Sequence, residues 1–392
     1  MSISTAMIES LEIRGFRAFK SFGIPDLTRL NLLVGRNNAG KTCVLDAVEI
    51  LALGGPLGAL LNSPIRRDEY YIQQSTHQEP RLEIELSHLF HGHRIDAGSS
   101  LEILAERDGA ASAVSLKAAR TSTADVARNA LAEALGFEAA FLLELNSPLE
   151  TERPPQLPVT PKGIFNIPFG HTEFSHWAQP MPSGMARQWS LDRPNVADLQ
   201  RPREKGGALY LGTAGATLAV LSQIWEGFIA LTPEEDGVYD AMRIIEPSFE
   251  RLVFTGEGLN TTVLIKLKDA RGRLPLGSLG DGIKRLLGLA ICMAQAQGGV
   301  LLIDEIDTGL HYSTMESMWR FIIEASRRLG VQVFATTHSG DCIRALAWLQ
   351  TEHPELAQDV SVHRIDKDAP SAVRYSAEDI EIAARHHVEV RG

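Results

Sequence analysis

The run Gly35–Thr42, GRNNAGKT, constrains this chain more than any other stretch. Glycine, four residues and then Gly-Lys-Thr is a spacing at which backbone N–H groups curl around a phosphate. It works only between a buried strand and a helix N-terminus. Both flanks are present. LNLLV precedes the run at strand length, and in the following CVLDAVEILAL the residues Val44, Leu45, Val48 and Leu51 share one helical face. The residues Gly35, Arg36, Asn37, Asn38, Ala39, Gly40, Lys41 and Thr42 therefore read as a nucleotide cradle. Lys41 would reach the β- and γ-phosphates of ATP, and the Thr42 hydroxyl would ligate Mg²⁺. A glycine turn that merely matches the spacing is the alternative, and the strand and helix on either side argue against it.

A second anchor is VLLIDEID. Four apolar residues make a buried strand, and Asp304 and Glu305 stand at its C-terminal end, where open α/β sheets bind their ligands. Asp304 is placed to hold Mg²⁺ directly or through water, and Glu305 to polarise an attacking water. An acidic pair after a strand also caps helices; the phosphate loop in the same chain favours the chemical reading. In VFATTHSGD an apolar strand ends in Thr336, Thr337 and His338. If that strand neighbours the Asp304 strand, His338 reaches the γ-phosphate region; a lone histidine can equally be structural. In SLGDGIKRLLGLA, Gly280 and Gly282 open a helix that could receive an anion, or form an ordinary glycine turn.

The order of elements predicts an α/β fold. Short strands come first (MIESLEIRGF, RAFKSFGI, RLEIELSHLF, SSLEILAERDG, SAVSLKAAR) and make an antiparallel N-terminal part over 1–120 carrying the phosphate loop. Residues 121–245 read as an insertion, partly helical (TADVARNALAEALGF and ATLAVLSQIWEGFIAL) and partly irregular, with helix-breaking prolines in NSPLETERPPQLPVTPKG and AQPMPSG. From 246 to 392 strands and helices alternate, which argues for a largely parallel core in a mixed sheet.

Composition narrows the class. A net charge of -11 in 392 residues disfavours a protein that coats nucleic acid non-specifically, though a local basic patch stays open. The three cysteines Cys43, Cys292 and Cys342 show neither metal spacing nor a disulfide framework, so a reducing cytoplasm is expected. No signal-peptide core and no long apolar run point to a membrane.

The order of phosphate loop, long gap, glycine-led helix, Asp-Glu strand and histidine strand resembles the ABC-type ATPase heads, and within them the RecF/SMC/OLD branch. The opening LEIRGFRAFKSFGIPDLTRLNLLVGRNNAGKT is similar to that branch throughout. The resemblance implies Gly35–Thr42 as Walker A, Asp304-Glu305 as Walker B, Gly280–Gly282 as the signature loop and His338 as the switch histidine, with ATP and Mg²⁺ as cofactors. It implies catalytic roles for Glu305, His338 and Lys41, and metal ligation by Thr42 and Asp304. It also offers Arg17 as a contact to phosphate or adenine, although an arginine on such a turn can simply be solvated. Three departures stand out. Gly280 occupies the place of the family's signature serine, with Ser278 as a candidate substitute; His311 replaces the aspartate of transporter subunits; and the Q-loop glutamine has no clear counterpart, Gln73 and Gln74 being candidates.

Pro148, Pro154, Pro155, Pro158 and Pro161 rule out a coiled coil through the insertion, so a compact dimerisation or partner-binding unit is expected there. With about fifty residues after His338, no Toprim nuclease of the OLD family is expected in this sequence. The expectation is a homodimeric or larger ATP-driven switch acting on a separate effector protein, such as a nuclease in anti-phage defence, or on DNA. The alternative is a low-turnover, nucleotide-gated scaffold that sequesters a toxin partner.

Overall fold

A strand that is apolar at every position needs cover on both faces, whereas an alternating strand needs it on one. Both kinds occur in this chain. The computed structural model describes residues 7–55, 57–73, 81–120, 141–147, 156–168 and 207–386. Strands β1 (Ile8–Phe16) and β2 (Phe19–Ile24) alternate and pair antiparallel, Ile13 opposite Phe22. Strand β3 (Leu30–Val34) is buried at every residue and runs into helix α1 (Lys41–Ala52). Helix α2 (Leu57–Arg66) follows, then β4 (Tyr70–Gln73), β5 (Arg81–Glu85), β6 (Ser100–Arg107) and β7 (Ala110–Arg120). Next come β8 (Phe141–Asn146), β9 (Gln156–Val159), β10 (Ile164–Pro168), β11 (Ala208–Leu211), α3 (Leu218–Ile224) and α4 (Glu234–Arg243). The remainder is β12 (Phe249–Thr255), β13 (Thr262–Leu267), β14 (Arg273–Pro275), α5 (Asp281–Gln295), β15 (Val300–Ile303), α6 (Tyr312–Leu329), β16 (Gln332–Thr336), α7 (Gly340–Glu352), α8 (Pro354–Ala357), β17 (Val360–Arg364), β18 (Val373–Tyr375) and α9 (Ala377–His386).

The central sheet has the order β11-β15-β16-β3-β17-β18. Its first five strands are parallel and β18 returns antiparallel. Each parallel strand splits its side chains between two cores. Leu32, Leu301, Ile303, Val333 and Ala335 face the helices α5, α6 and α7; Leu33, Leu302 and Phe334 face α1 and the N-terminal sheet. That sheet, β2-β1-β6-β7-β8-β9, is antiparallel throughout. Asn31 sits fully buried in the middle of β3. Its amide donates to the carbonyls of Thr28 and Val333, and its carbonyl oxygen accepts from Ser361. A buried amide is tolerated because its donors and acceptors are satisfied.

The expectation of a partly helical, partly irregular stretch over 121–245 needs correcting where that stretch is described. Strands β8 and β9 extend the N-terminal sheet, β10 pairs with β5, and β11 forms the edge of the central sheet beside β15. Short strands of four to six residues flanked by proline show little periodicity, so pairing partners far along the chain decide them. Pro158 lies in β9, an edge strand, where a missing N–H is tolerated. The expected helix over 123–137, the AQPMPSG segment, Pro148, Pro154, Pro155 and Gln74 lie outside the described residues. Helix α3 begins at Thr217, whose hydroxyl accepts from the Val220 N–H, as the helical reading of ATLAVLSQ expects. Among the described residues no helix is long and apolar enough to cross a membrane.

Candidate functional site

Strands β3, β15 and β16 are neighbours and parallel, so their C-terminal ends open onto one edge. The residues that leave those three ends make the site. After β3 the chain must turn back sharply, and glycine permits it. At Gly35 (φ 150°) an added Cβ would stand 2.6 Å from the Ile365 carbonyl oxygen; at Gly40 (φ 101°) it would stand 2.5 Å from the Phe19 ring. Asn38 takes the left-handed conformation as well. The loop is thus wrapped tightly and delivers the N-terminus of α1 to its centre. The Lys41 Nζ donates to the carbonyls of Gly35 (2.7 Å) and Arg36 (2.9 Å), folded across the loop it serves.

Asp304 and Glu305 leave β15. The Thr336 hydroxyl donates to Asp304 Oδ1 at 2.6 Å, and the Thr42 hydroxyl lies 3.5 and 3.4 Å from the two carboxylate oxygens. The Tyr210 hydroxyl, from β11, donates to Asp304 Oδ2 at 3.3 Å. Hydroxyls from three strand or loop ends therefore converge on one carboxylate. Glu305 has φ 47°, a costly conformation for a side chain of this kind. Its backbone is fixed from both sides: the N–H donates to Thr336 Oγ1 (2.9 Å) and the carbonyl accepts from Arg285 (3.0 Å). That turn throws the Glu305 side chain toward solvent, 39% exposed, with Oε1 3.4 Å from Nδ1 of His338, itself 49% exposed. Thr308 Oγ1 lies 3.4 Å from the other carboxylate oxygen. Thr337 donates to Asp307 at 2.5 Å and anchors the turn before His338.

The site suits Mg²⁺·ATP by the chemistry of its donors. A hydroxyl and a carboxylate side by side are hard oxygen ligands, and Mg²⁺ takes one or two such groups together with phosphate oxygens and water. Among the described residues no cluster of three or more His, Cys, Asp or Glu is placed to hold a metal.

Arg17 is placed elsewhere than the resemblance implied. It is 4% exposed, donates to Glu69 at 2.9 and 3.0 Å and to Ser63 at 2.6 Å, and lies 3.4 Å from Asp46. The guanidinium is engaged behind α1 and is neither a phosphate contact nor a solvated turn residue. Asp46 also pairs with Arg66 (2.9 Å) and Arg67 (2.7 Å). Burial raises the Asp46 carboxyl, but the charges of Arg67, Arg66 and Arg17 outweigh it and hold the group below its ordinary value. Gly280 stands in the left-handed region (φ 90°) at the start of α5 with open space around it. Gly282 has an intrachain reason to be glycine, since an added Cβ would lie 3.0 Å from the Gly309 carbonyl oxygen. His311 caps α6, its Nδ1 accepting from the Ser313 N–H at 3.4 Å. Gln73 ends β4.

Two site residues escaped the sequence reading. Tyr210 belongs to ALYL, an apolar run before glycine that has the look of a short buried strand. Arg285 sits one turn into α5, 8% exposed, and donates to the carbonyls of Gly212 (2.7 Å), Asp304 (3.0 Å) and Glu305 (3.0 Å). Its helical face is apolar on either side, so an arginine there signals buried acceptors.

Comparison with known proteins agrees with this geometry. Residues 7–134 match the family model described as "AAA ATPase domain", and residues 223–341 match one described as "AAA domain, putative AbiEii toxin, Type IV TA system". The first match holds the phosphate loop, the second holds Asp304, Glu305 and His338. The two matches take in both halves of the site, and the chain is an ATPase. An ATP/GTP phosphatase of Helicobacter pylori is 24% identical over 351 residues, 87% of each chain. A methionine import ATP-binding protein MetN of Brucella abortus is 29% identical over 132 residues, 33% of this chain and 34% of its own length. Among solved structures, the SMC head domain from Thermotoga maritima overlays with a TM-score of 0.42 at 15% identity, covering 94% of this ATPase and 98% of that chain. The SMC head of Pyrococcus furiosus bound to the C-terminal domain of ScpA gives 0.45 at 12% identity, covering 98% and 100%. The family matches and the phosphatase relative support the ATPase reading of the sequence, and the sheets described above bear out the α/β fold.

Proposed function

We propose that this ATPase holds ATP·Mg²⁺ on Gly35–Thr42, closes as a dimer around two composite sites, and uses hydrolysis to drive a conformational change read by a separate effector protein or by DNA. One observation supports this most: Thr42, Asp304, Glu305 and His338 leave adjacent parallel strands and meet at one edge. In this reading Lys41 exchanges the carbonyls of Gly35 and Arg36 for β- and γ-phosphate oxygens, a fixed ammonium replacing a dipole contact. The amides of the loop and of the α1 N-terminus take the remaining phosphate charge. Thr42 and Asp304 would hold Mg²⁺, which when bound neutralises charge developing between the β- and γ-phosphates. Glu305 accepts a proton from water as the water oxygen bonds to the γ-phosphorus; the bond to the β–γ bridging oxygen breaks and ADP departs. His338 donates a hydrogen bond to a γ-phosphate oxygen and steadies the Glu305 carboxylate. The Gly280–Gly282 loop of a second copy covers the γ-phosphate. Residues 121–245 include the surface for the partner.

The test is the ATP-dependence of association. The Glu305→Gln protein should sediment as a dimer with ATP and Mg²⁺ and as a monomer with ADP; a monomer under both conditions refutes the composite site. A second reading, a low-turnover scaffold in a toxin–antitoxin pair, draws on the description of the family matched at 223–341. Turnover well below 0.01 per second, on the order of a thousandfold under typical enzymes, unmoved by DNA, would favour it.

A further inference from the structure

Tyr210 stands in the central sheet beside the site but belongs to none of the motifs. It is 6% exposed and enters on β11, where Tyr210 is in register with Leu302 of the neighbouring β15. Its ring lies under the Arg66 guanidinium, the carbon 3.8 Å from the ring centroid. Arg66 in turn donates to Asp46 (2.9 Å) and Glu49 (2.5 Å), both on α1, the helix that begins with Lys41 and Thr42. On its other side the phenol donates to Asp304 Oδ2 at 3.3 Å. A continuous path therefore runs from α1 through Arg66 and Tyr210 to Asp304, without passing through the phosphate loop.

Resting on the reading of Asp304 as the Mg²⁺-side carboxylate, we propose that Tyr210 is a positioning residue: its hydroxyl, with the ring clamped by Arg66, fixes the orientation in which Asp304 receives the metal. The physics supports that division of labour. Thr336 holds Oδ1 and Tyr210 holds Oδ2, so rotating the carboxylate costs one bond or the other, and the Thr42 hydroxyl lies 3.5 and 3.4 Å from the same two oxygens. Outer-shell partners of this sort commonly change metal affinity by 10- to 100-fold when removed. The Arg66 clamp adds a link to the loop, because Arg66 is held by the second and third turns of α1.

The experiment titrates Mn²⁺ into the ATP-loaded protein and reads free Mn²⁺ by electron paramagnetic resonance, so that no turnover is needed. Tyr210→Phe keeps the ring and its clamp and removes only the hydroxyl. The expected result is about a tenfold weaker Mn²⁺ affinity with an unchanged affinity for ATP in EDTA, which depends on Lys41 and the amides. Arg66→Lys keeps the charge beside Asp46 and Glu49 but loses the planar face over the ring; it should shift Mn²⁺ affinity in the same direction and leave ATP in EDTA unchanged. Unaltered Mn²⁺ affinity in Tyr210→Phe overturns the inference. Loss of ATP binding in EDTA by both variants also overturns it, since the path would then be serving the fold of the loop. If the parent protein binds no Mn²⁺ with ATP, the proposed function fails first and independently.

Discussion

Replacing Glu305 by glutamine separates the backbone of the turn after β15 from its proposed chemistry. The strained conformation at this residue (φ 47°) is held by Thr336 Oγ1 on the N–H and Arg285 on the carbonyl, and neither bond involves the side chain. The carboxylate itself meets Thr308 and His338 at 3.4 Å each, long contacts to a group 39% exposed. Contacts of that kind contribute little to stability, so glutamine should leave the unfolding free energy within about 0.5 kcal/mol of the parent. ATP should bind as before, because the cradle lies on the other strand. Hydrolysis should fall on the order of 10²-fold or more, since an amide cannot take the proton of the attacking water. A 10²-fold loss corresponds to about 2.7 kcal/mol of barrier. Single-turnover hydrolysis of labelled ATP, equilibrium binding of an ATP analogue and urea unfolding measure the three quantities. A parental single-turnover rate would refute the assignment of Glu305 as base. A drop in stability above ~1 kcal/mol would show that the side chain holds the turn.

Three further outcomes follow from the structure. Lys41→Ala should weaken ATP binding at least about tenfold, since the ammonium that now bonds Gly35 and Arg36 has no substitute; an unchanged affinity by fluorescence titration of labelled ATP would remove the phosphate-loop assignment. Ser278→Arg, at an exposed position before α5, should block closure over a second copy while sparing the fold; mixing it with Lys41→Ala should restore partial ATPase activity from two inactive chains, and no recovery in proven heterodimers counts against a site shared in trans. His363 is fully buried in β17, and burial, reinforced by the charge of Arg374, pushes it down to about 4. Its folded value lies below its unfolded value, so its contribution is intact above pH ~6.5 and is lost as pH falls toward 4, to the extent of about 3 kcal/mol. Urea unfolding between pH 7 and 4 should show that decline, and His363→Gln should flatten it.

Contiguous stretches carried most of what the sequence determined about this ATPase. The strand–loop–helix around Gly35–Thr42, the apolar strand before Asp304 and the histidine after β16 each declare themselves because loop geometry and strand burial act on neighbouring residues. Their order was enough to predict the α/β core and the ATPase chemistry. Long-range proximity was decided by the fold alone. Tyr210 meets Asp304 across 94 positions, Arg285 meets Gly212 across 73, and Arg17 meets Glu69 across 52. None of these pairs shares a helical face or a turn, so no local pattern announces them. Arg17 shows the difference most clearly: the sequence offers an arginine near the loop, and only packing against α1 and α2 determines whether its charge meets phosphate, water or buried carboxylates. The edge strand β11 was hidden for a related reason, since four residues acquire strand structure from the neighbour they pair with, and that neighbour, β15, begins 92 residues after β11 begins.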